Sequence, residues 1–295
     1  MPHVASNGIT IEYEDMGPAD GTPLLLIMGL GQQLTAWPVP FCQMLADAGH
    51  RVIRFDNRDT GFSTLFDEAG PQNVMEIMAQ AAAGAPPVVP YLIEDMANDA
   101  AGLIDALDFG PCHVVGVSMG GMIAQNLTAS HSDKVRSLTS IMSTSGSPDV
   151  PPATDAAMGA LFAQAEDPDS RDSVLDTTVA ARKTIGSPGF MDPDWVIRAN
   201  GAIGLDRQNY PVGVTRHMSA IIASGDRRDR LKKITRPTHV IHGTDDPLVK
   251  VEGGKDTAAN IEGAKLTLIK GMGHDLAGAL QPILADHVIS FVRGH

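Results

Sequence analysis

The sequence predicts an α/β protein: a mostly parallel sheet flanked by helices, with a helical cap inserted late in the chain. Two observations along the chain predict this. Short β-rich runs alternate with longer helical stretches, which is the pattern of a parallel sheet covered by helices. One long stretch, residues 146–224, has helical segments but no convincing strand, and prolines at 148, 151, 152, 168, 188, 193 and 211 cut it into short pieces. Composition agrees, since 295 residues, 43% hydrophobic and 19% charged, suffice to bury a full core and are not the balance of a disordered chain.

The elements follow in order. Ile9 to Glu14 alternates in period two and reads as an early half-buried strand. Leu24 to Met28 is a fully apolar strand, followed by a glycine-rich turn and a helix from about Ala36 to Ala48. Arg51 to Phe55 is the next strand. Pro71 to Pro90 reads as a short helix and a loop, and Leu92 to Leu107 as a long amphipathic helix. Strand His113 to Val117 then runs into a sharp turn at Ser118, a helix to about Ser130 and strand Val135 to Met142. After the cap come strands Thr238 to His242 and Lys265 to Ile269, and a last helix over Gln281 to Val292. The domain reading is therefore a core of residues 1–145 and 225–295, with 146–224 as a cap over the C-terminal edge of the sheet, where ligands bind in such folds. Surface padding with no role in a site is the bland alternative for that insertion.

Several function classes are disfavoured. A net charge of −13 gives no basic footprint for nucleic acid or anionic lipid. The N-terminal residues show no secretory pattern, and the longest apolar stretch, Leu24 to Met28, is too short to span a bilayer. The two cysteines, Cys42 and Cys112, fall in a helix and at the start of a strand and read as buried thiols. A cytoplasmic protein, monomer or homodimer, with no metal or organic cofactor is expected.

The chemistry concentrates at Gly116-Val117-Ser118-Met119-Gly120. A strand, a sharp turn and a helix start lift a serine hydroxyl clear of a sheet, and small residues two before and two after avoid clashes there. Gly121 lets the following helix pack close to the strand. A serine is a weak nucleophile and needs a base and an acid that orients the base. Of ten histidines, His113 and His239 lie in or beside buried strands. His50 and His131 are read as ending helices, where a partly cationic ring is favoured, while His217 falls in the cap and could touch substrate. His274, in the loop Gly271-Met272-Gly273-His274 after the last strand, can reach the C-terminal edge and is the candidate base. The acid comes from Gly243-Thr244-Asp245-Asp246-Pro247; Asp246 is favoured, with Asp245 the alternative. Backbone donors for a developing oxyanion are expected from the N–H of Met119, at a helix N-terminus, and of Leu30, in the turn Met28-Gly29-Leu30-Gly31.

These blocks, with Asp56-Asn57-Arg58-Asp59-Thr60-Gly61-Phe62-Ser63, resemble the α/β-hydrolase superfamily over nearly the whole chain outside the cap. They look most like cap-bearing carboxylesterases of the aclacinomycin methylesterase-like group. The resemblance implies an eight-stranded sheet and the triad order Ser118, Asp246, His274. Many superfamily members carry Gly in place of Asp59, and many carry His-Gly in the oxyanion turn where this chain has Met28-Gly29. The block around Asp59 is expected to build the wall and turn near the site. The implied activity is acyl transfer from a small-molecule ester to Ser118 and then to water, with Met28, Gly29, Met142 and His217 against the substrate. C–C bond hydrolysis, lactone opening, thioester hydrolysis and cofactor-free perhydrolysis can use the same triad, and the fold can also serve as a ligand sensor. A dehalogenase or epoxide hydrolase would need a carboxylate at position 118.

Overall fold

In the computed structural model, which describes residues 1–295, eight strands form one sheet. They are β1 (His3–Ser6), β2 (Ile9–Met16), β3 (Thr22–Ile27), β4 (His50–Phe55), β5 (Cys112–Val117), β6 (Val135–Ile141), β7 (Thr238–Gly243) and β8 (Lys265–Ile269). The order across the sheet is β1-β2-β4-β3-β5-β6-β7-β8. β1 and β2 form an antiparallel hairpin and β2 runs antiparallel to β4; every pair from β4 to β8 is parallel. Because β3 has β4 on one side and β5 on the other, the winding direction reverses beside β3. A crevice opens there at the carboxyl ends of the strands.

The helices are α1 (Val39–Asp47), α2 (Val74–Ala82), α3 (Ile93–Ala106), α4 (Met119–Ser130), α5 (Asp155–Leu161), α6 (Arg171–Ile185), α7 (Asp194–Arg207), α8 (Pro211–Ser224), α9 (Arg228–Leu231), α10 (Val251–Ala259) and α11 (Gln281–Val292). Strand periodicity sorts the core into two layers. Leu24, Leu26 and Met28 point to one face, against Trp37, Phe41 and Leu45 near and in α1 and Leu284 and Val288 of α11. Leu25 and Ile27 point to the other, against Ile93, Met96 and Leu103 of α3 and Ile123 and Leu127 of α4. Burying each such aliphatic side chain stabilises the fold by about 1.5–3 kcal/mol, and both layers clamp the sheet whose edge carries the site. Both cysteines are buried and unpaired, and burial pushes the thiols up to about 11 for Cys42 and about 12 for Cys112.

The differences from expectation are local. Strand β1 was not expected, although Asn7-Gly8 is the two-residue turn that favours a hairpin; both residues have positive φ, 48° and 79°. Helix α10 was also not expected, since its small and polar residues carry little apolar periodicity. His50 does not end a helix: it opens β4, is buried, and has no partner on either ring nitrogen. Burial lowers its pKa, so the neutral ring is favoured, contrary to the cationic reading. Residues 146–224 carry α5 to α8 and no strand. Ala220 and Ile221, near the end of α8, pack in the α3/α4 layer, so the insertion is rooted in the core at its far end. No helix is long and apolar enough to cross a membrane.

Candidate active site

Ser118 sits between β5 and α4 with φ 55° and ψ −122°, a conformation that non-glycine residues adopt only under constraint. The constraint is close packing. A Cβ built on Gly116 would lie 2.2 Å from the Gly120 carbonyl oxygen, and one on Gly120 would lie 2.1 Å from the Ile27 carbonyl oxygen. No larger residue fits at either place without moving backbone. A Cβ on Gly121 would lie 2.6 Å from the Ser143 Cβ, which is why α4 can press so closely against the end of β6.

The structure brings Ser118, His274 and Asp246 into line. His274 Nε2 lies 2.9 Å from Ser118 Oγ, and His274 Nδ1 lies 2.7 Å from Asp246 Oδ2. A carboxylate only accepts, so Nδ1 carries the proton and Nε2 is left to accept from the serine hydroxyl. Asp246 Oδ1 takes the N–H groups of Leu248 (2.9 Å) and Val249 (2.8 Å), which fixes the carboxylate before the histidine reaches it. Burial by itself would raise the Asp246 pKa. His274 and its hydrogen bonds outweigh burial, and the carboxyl is held well below the usual carboxylate range. Asp245 turns away: its Oδ2 accepts from Thr244 Oγ1 and, at 2.8 Å, from the Gly271 N–H. It therefore ties the β7 turn to the loop that carries His274.

The two N–H groups expected to serve as oxyanion donors are free of backbone acceptors. Met119 holds the first position of α4 and so has no intrahelical acceptor for its N–H, and the Leu30 N–H has no backbone acceptor. Gly29 adjoins the serine; a Cβ there would stand 3.2 Å from the Ser118 Cβ and 3.7 Å from Oγ. The Met28 carbonyl accepts from Asn57 Nδ2 at 3.0 Å, so the block after β4 braces this turn.

Three of the expected substrate contacts are placed otherwise. Met28 continues the alternation of β3 onto the α1/α11 layer, and Met142 packs in the same layer; only 4% and 3% of their surfaces are exposed. They are core side chains rather than an open wall. His217 is fully buried, with Nδ1 accepting the Gly31 N–H at 3.1 Å and Nε2 donating to the Arg58 carbonyl at 2.7 Å. Both nitrogens are engaged by backbone, so the ring has no hydrogen bond left to offer a substrate. Burial lowers its pKa to about 4, against weaker opposition from the Arg58 carbonyl and Asp59.

Several contacts that hold the site go beyond the sequence reading, which placed the Asp59 block near the site but named none of its partners. The Ile185 carbonyl, at the end of α6, accepts the His274 N–H at 2.8 Å, and Ser187 binds the neighbouring Asp275 through its hydroxyl at 2.5 Å. His242, in β7, donates from Nε2 to the Val249 carbonyl at 2.8 Å and lies 3.6 Å from Asp246 Oδ2. Asp59 has φ 61° and pairs with the fully buried Arg216 of α8 through both carboxylate oxygens, at 2.7 and 2.8 Å. Except for those of His242, which lie within seven residues, these contacts join residues far apart in the chain, and no local spacing signals them. No group of three or more His, Cys, Asp or Glu side chains is gathered as a metal-ligand set.

Sheet order, elbow and the aligned serine, histidine and carboxylate define the α/β-hydrolase class. Comparison with known proteins gives the same result: the family described as alpha/beta hydrolase fold matches residues 22–277, and the chain belongs to it. The rhodomycin D methylesterase DauP of Streptomyces sp. (strain C5) is 27% identical over 98% of this chain and 97% of its own. The enol-lactonase of Burkholderia xenovorans LB400 superposes with a TM-score of 0.72 at 23% identity, covering 99% of this chain and 100% of that one. A meta-cleavage product hydrolase of Pseudomonas fluorescens IP01 gives 0.77 at 18% identity, covering 100% and 98%. Those two likenesses are likenesses of fold.

Proposed function

We propose that the protein is a serine carboxylic-ester hydrolase that works through an acyl-enzyme on small to medium apolar esters. The observation that carries this is the continuous line from Asp246 through His274 to Ser118, at 2.7 and 2.9 Å, on a strained elbow. In the first step Ser118 Oγ attacks the ester carbonyl carbon while its proton passes to His274 Nε2. The Met119 and Leu30 N–H groups donate to the oxyanion, and Asp246 stabilises the imidazolium. The tetrahedral adduct collapses, the alkoxy group leaves with the proton from His274, and an acyl ester remains on Ser118. Water attacks that ester with His274 as base, which releases the acid and restores the serine.

The full-length likeness to a methylesterase supports an ester with a small alcohol part. The flank beside Ser118, Gly29 and the half-buried Leu30, carries no charge, which suits an apolar acyl group. Ser118→Ala should lower turnover of p-nitrophenyl butyrate and of methyl esters by roughly 10⁴-fold or more, with an unchanged circular dichroism spectrum. Near wild-type turnover by Ser118→Ala would overturn the assignment. A wild-type protein that is labelled at Ser118 by a fluorophosphonate yet turns over no ester would overturn the choice of bond.

A further inference from the structure

The turn that carries Leu30 is held mostly from outside the core. Its own strand ends at Ile27, and the thioether of Met28 makes no hydrogen bond to the loop. Asn57 braces the Met28 carbonyl from the core side. From the other side comes α8. His217 Nδ1 accepts the Gly31 N–H, and Val214, one turn earlier, lies where a Cβ on Gly31 would be, 2.6 Å from Val214 Cγ2. Gly31 has φ 63°, which glycine adopts freely. Farther along the turn, Gln33 donates through Nε2 to the Gly204 and Gln208 carbonyls, both at 2.8 Å, and accepts from Arg207 at 2.6 Å.

The position of the His217 ring is over-determined. Nε2 donates to the Arg58 carbonyl, Tyr91 meets the ring edge-on at 6.4 Å between centroids, and the adjacent Arg216 is locked to Asp59. Since the carbonyl only accepts, the proton sits on Nε2 and Nδ1 is free to accept. An acceptor at this point sets the orientation of the Leu30–Gly31 peptide plane, and with it the direction of the neighbouring Leu30 N–H.

We propose that His217 is a positioning residue for the oxyanion turn: its Nδ1, presented by α8, holds the Gly31 N–H and so aims the Leu30 N–H at the oxyanion. Resting on the acyl-transfer reading of Ser118, this makes the cap helix a working part of the catalytic geometry. The acceptor that holds the turn is supplied 186 residues later in the chain. Contact with substrate is not part of the role, so the effect falls on the chemical step rather than on binding.

The two ring nitrogens can be tested separately. His217→Asn places an acceptor near Nδ1 and loses the Arg58 contact; His217→Gln keeps a donor near Nε2 and loses the Gly31 contact; His217→Phe loses both. With p-nitrophenyl butyrate, kcat should fall roughly 10- to 100-fold in the Gln and Phe variants, less than the about 10²–10³ for outright loss of an oxyanion donor, because the Leu30 N–H is misdirected rather than removed. KM should change less than threefold, and the Asn variant should retain most of kcat. Hydrogen exchange across residues 28–34 should speed up in the Gln variant and not in the Asn variant. The rate of Ser118 inactivation by a phosphonate ester should follow the same order. That last comparison needs no ester turnover, so it decides the role of His217 even if the ester reading fails. Should the Phe variant not fold, the Asn and Gln pair still decides. Equal losses in Asn and Gln, a loss confined to KM, or a Gln variant as active as wild type would overturn the proposal.

Discussion

Asp245 and Asp246 carry the same side chain on adjacent residues, and the turn after β7 sends them to different tasks. Asp246 points inward, receives two backbone N–H groups and faces His274; Asp245 points outward and binds the Gly271 N–H. In the proposed mechanism the first contact acts on the imidazolium that forms during acyl transfer, and the second only joins two loops. Asp246→Asn should therefore cost about 10³–10⁴ in kcat, while Asp245→Asn stays within roughly fivefold, since it touches no group that changes charge. Steady-state kinetics on p-nitrophenyl butyrate would check this, and losses of similar size in both would break the assignment. His274, Asp246 and Ser118 were legible as an ordered set because each follows a strand at the C-terminal edge of the sheet. The choice between the two aspartates was not, because one residue of phase in a tight turn reverses the direction of a side chain.

At the scale of elements, the contact between α8 and the loop after β4 shows what an unusual residue does. Position 59 has φ 61°, a conformation that suits glycine, so an aspartate is held against its backbone preference. The compensation is its carboxylate, which takes Arg216, the Phe66 N–H at 2.7 Å and the Tyr91 hydroxyl at 2.5 Å. Although burial would raise the Asp59 pKa, these hydrogen bonds lower it overall, and the group stays ionised. Asp59→Gly should relieve the backbone yet lower stability, because Arg216 would stay buried without its carboxylate. Breaking such a pair from one side costs about 3–5 kcal/mol, seen as a lower urea midpoint. A variant as stable as wild type would mean that the pair does not anchor α8. The same element carries His217, so Asp59→Gly should also reduce the benefit of an intact histidine.

Over the whole molecule, histidines give a pH dependence. His113 and His239 are buried at the starts of β5 and β7, and His217 on the inner face of α8; burial lowers all three to about 4. An unfolded chain takes up those protons near pH 6.5, whereas the folded one does not until about pH 4. Stability must therefore fall as pH falls across that window and level off below it. Asp246, held low in the folded state, adds a further loss at more acidic pH. The Tm should drop by roughly 5–10 °C between pH 6.5 and 4.5, and His239→Gln should flatten the slope. A Tm constant over that range would contradict the burial of these rings as neutral groups.

What the sequence by itself determined is the layout. Apolar runs of strand length, glycines that only a sharp elbow needs, and polar residues at strand ends are local signals, and they placed most of the sheet and pointed to the three side chains that the structure brings into hydrogen-bonding line. β1 was not read: a four-residue strand carries too little periodicity to stand out, and only the Asn7-Gly8 turn signals it. Only the tertiary structure decided which side chains face the crevice and which serve as supports. Met28 and Met142 turned out to be core, and His217 a brace rather than a wall. The physical reason is that a hydrogen bond such as Gly31 to His217 depends on how a helix from the cap settles on a distant turn. That docking is fixed by summed packing and a buried ion pair, neither of which leaves a pattern in neighbouring residues.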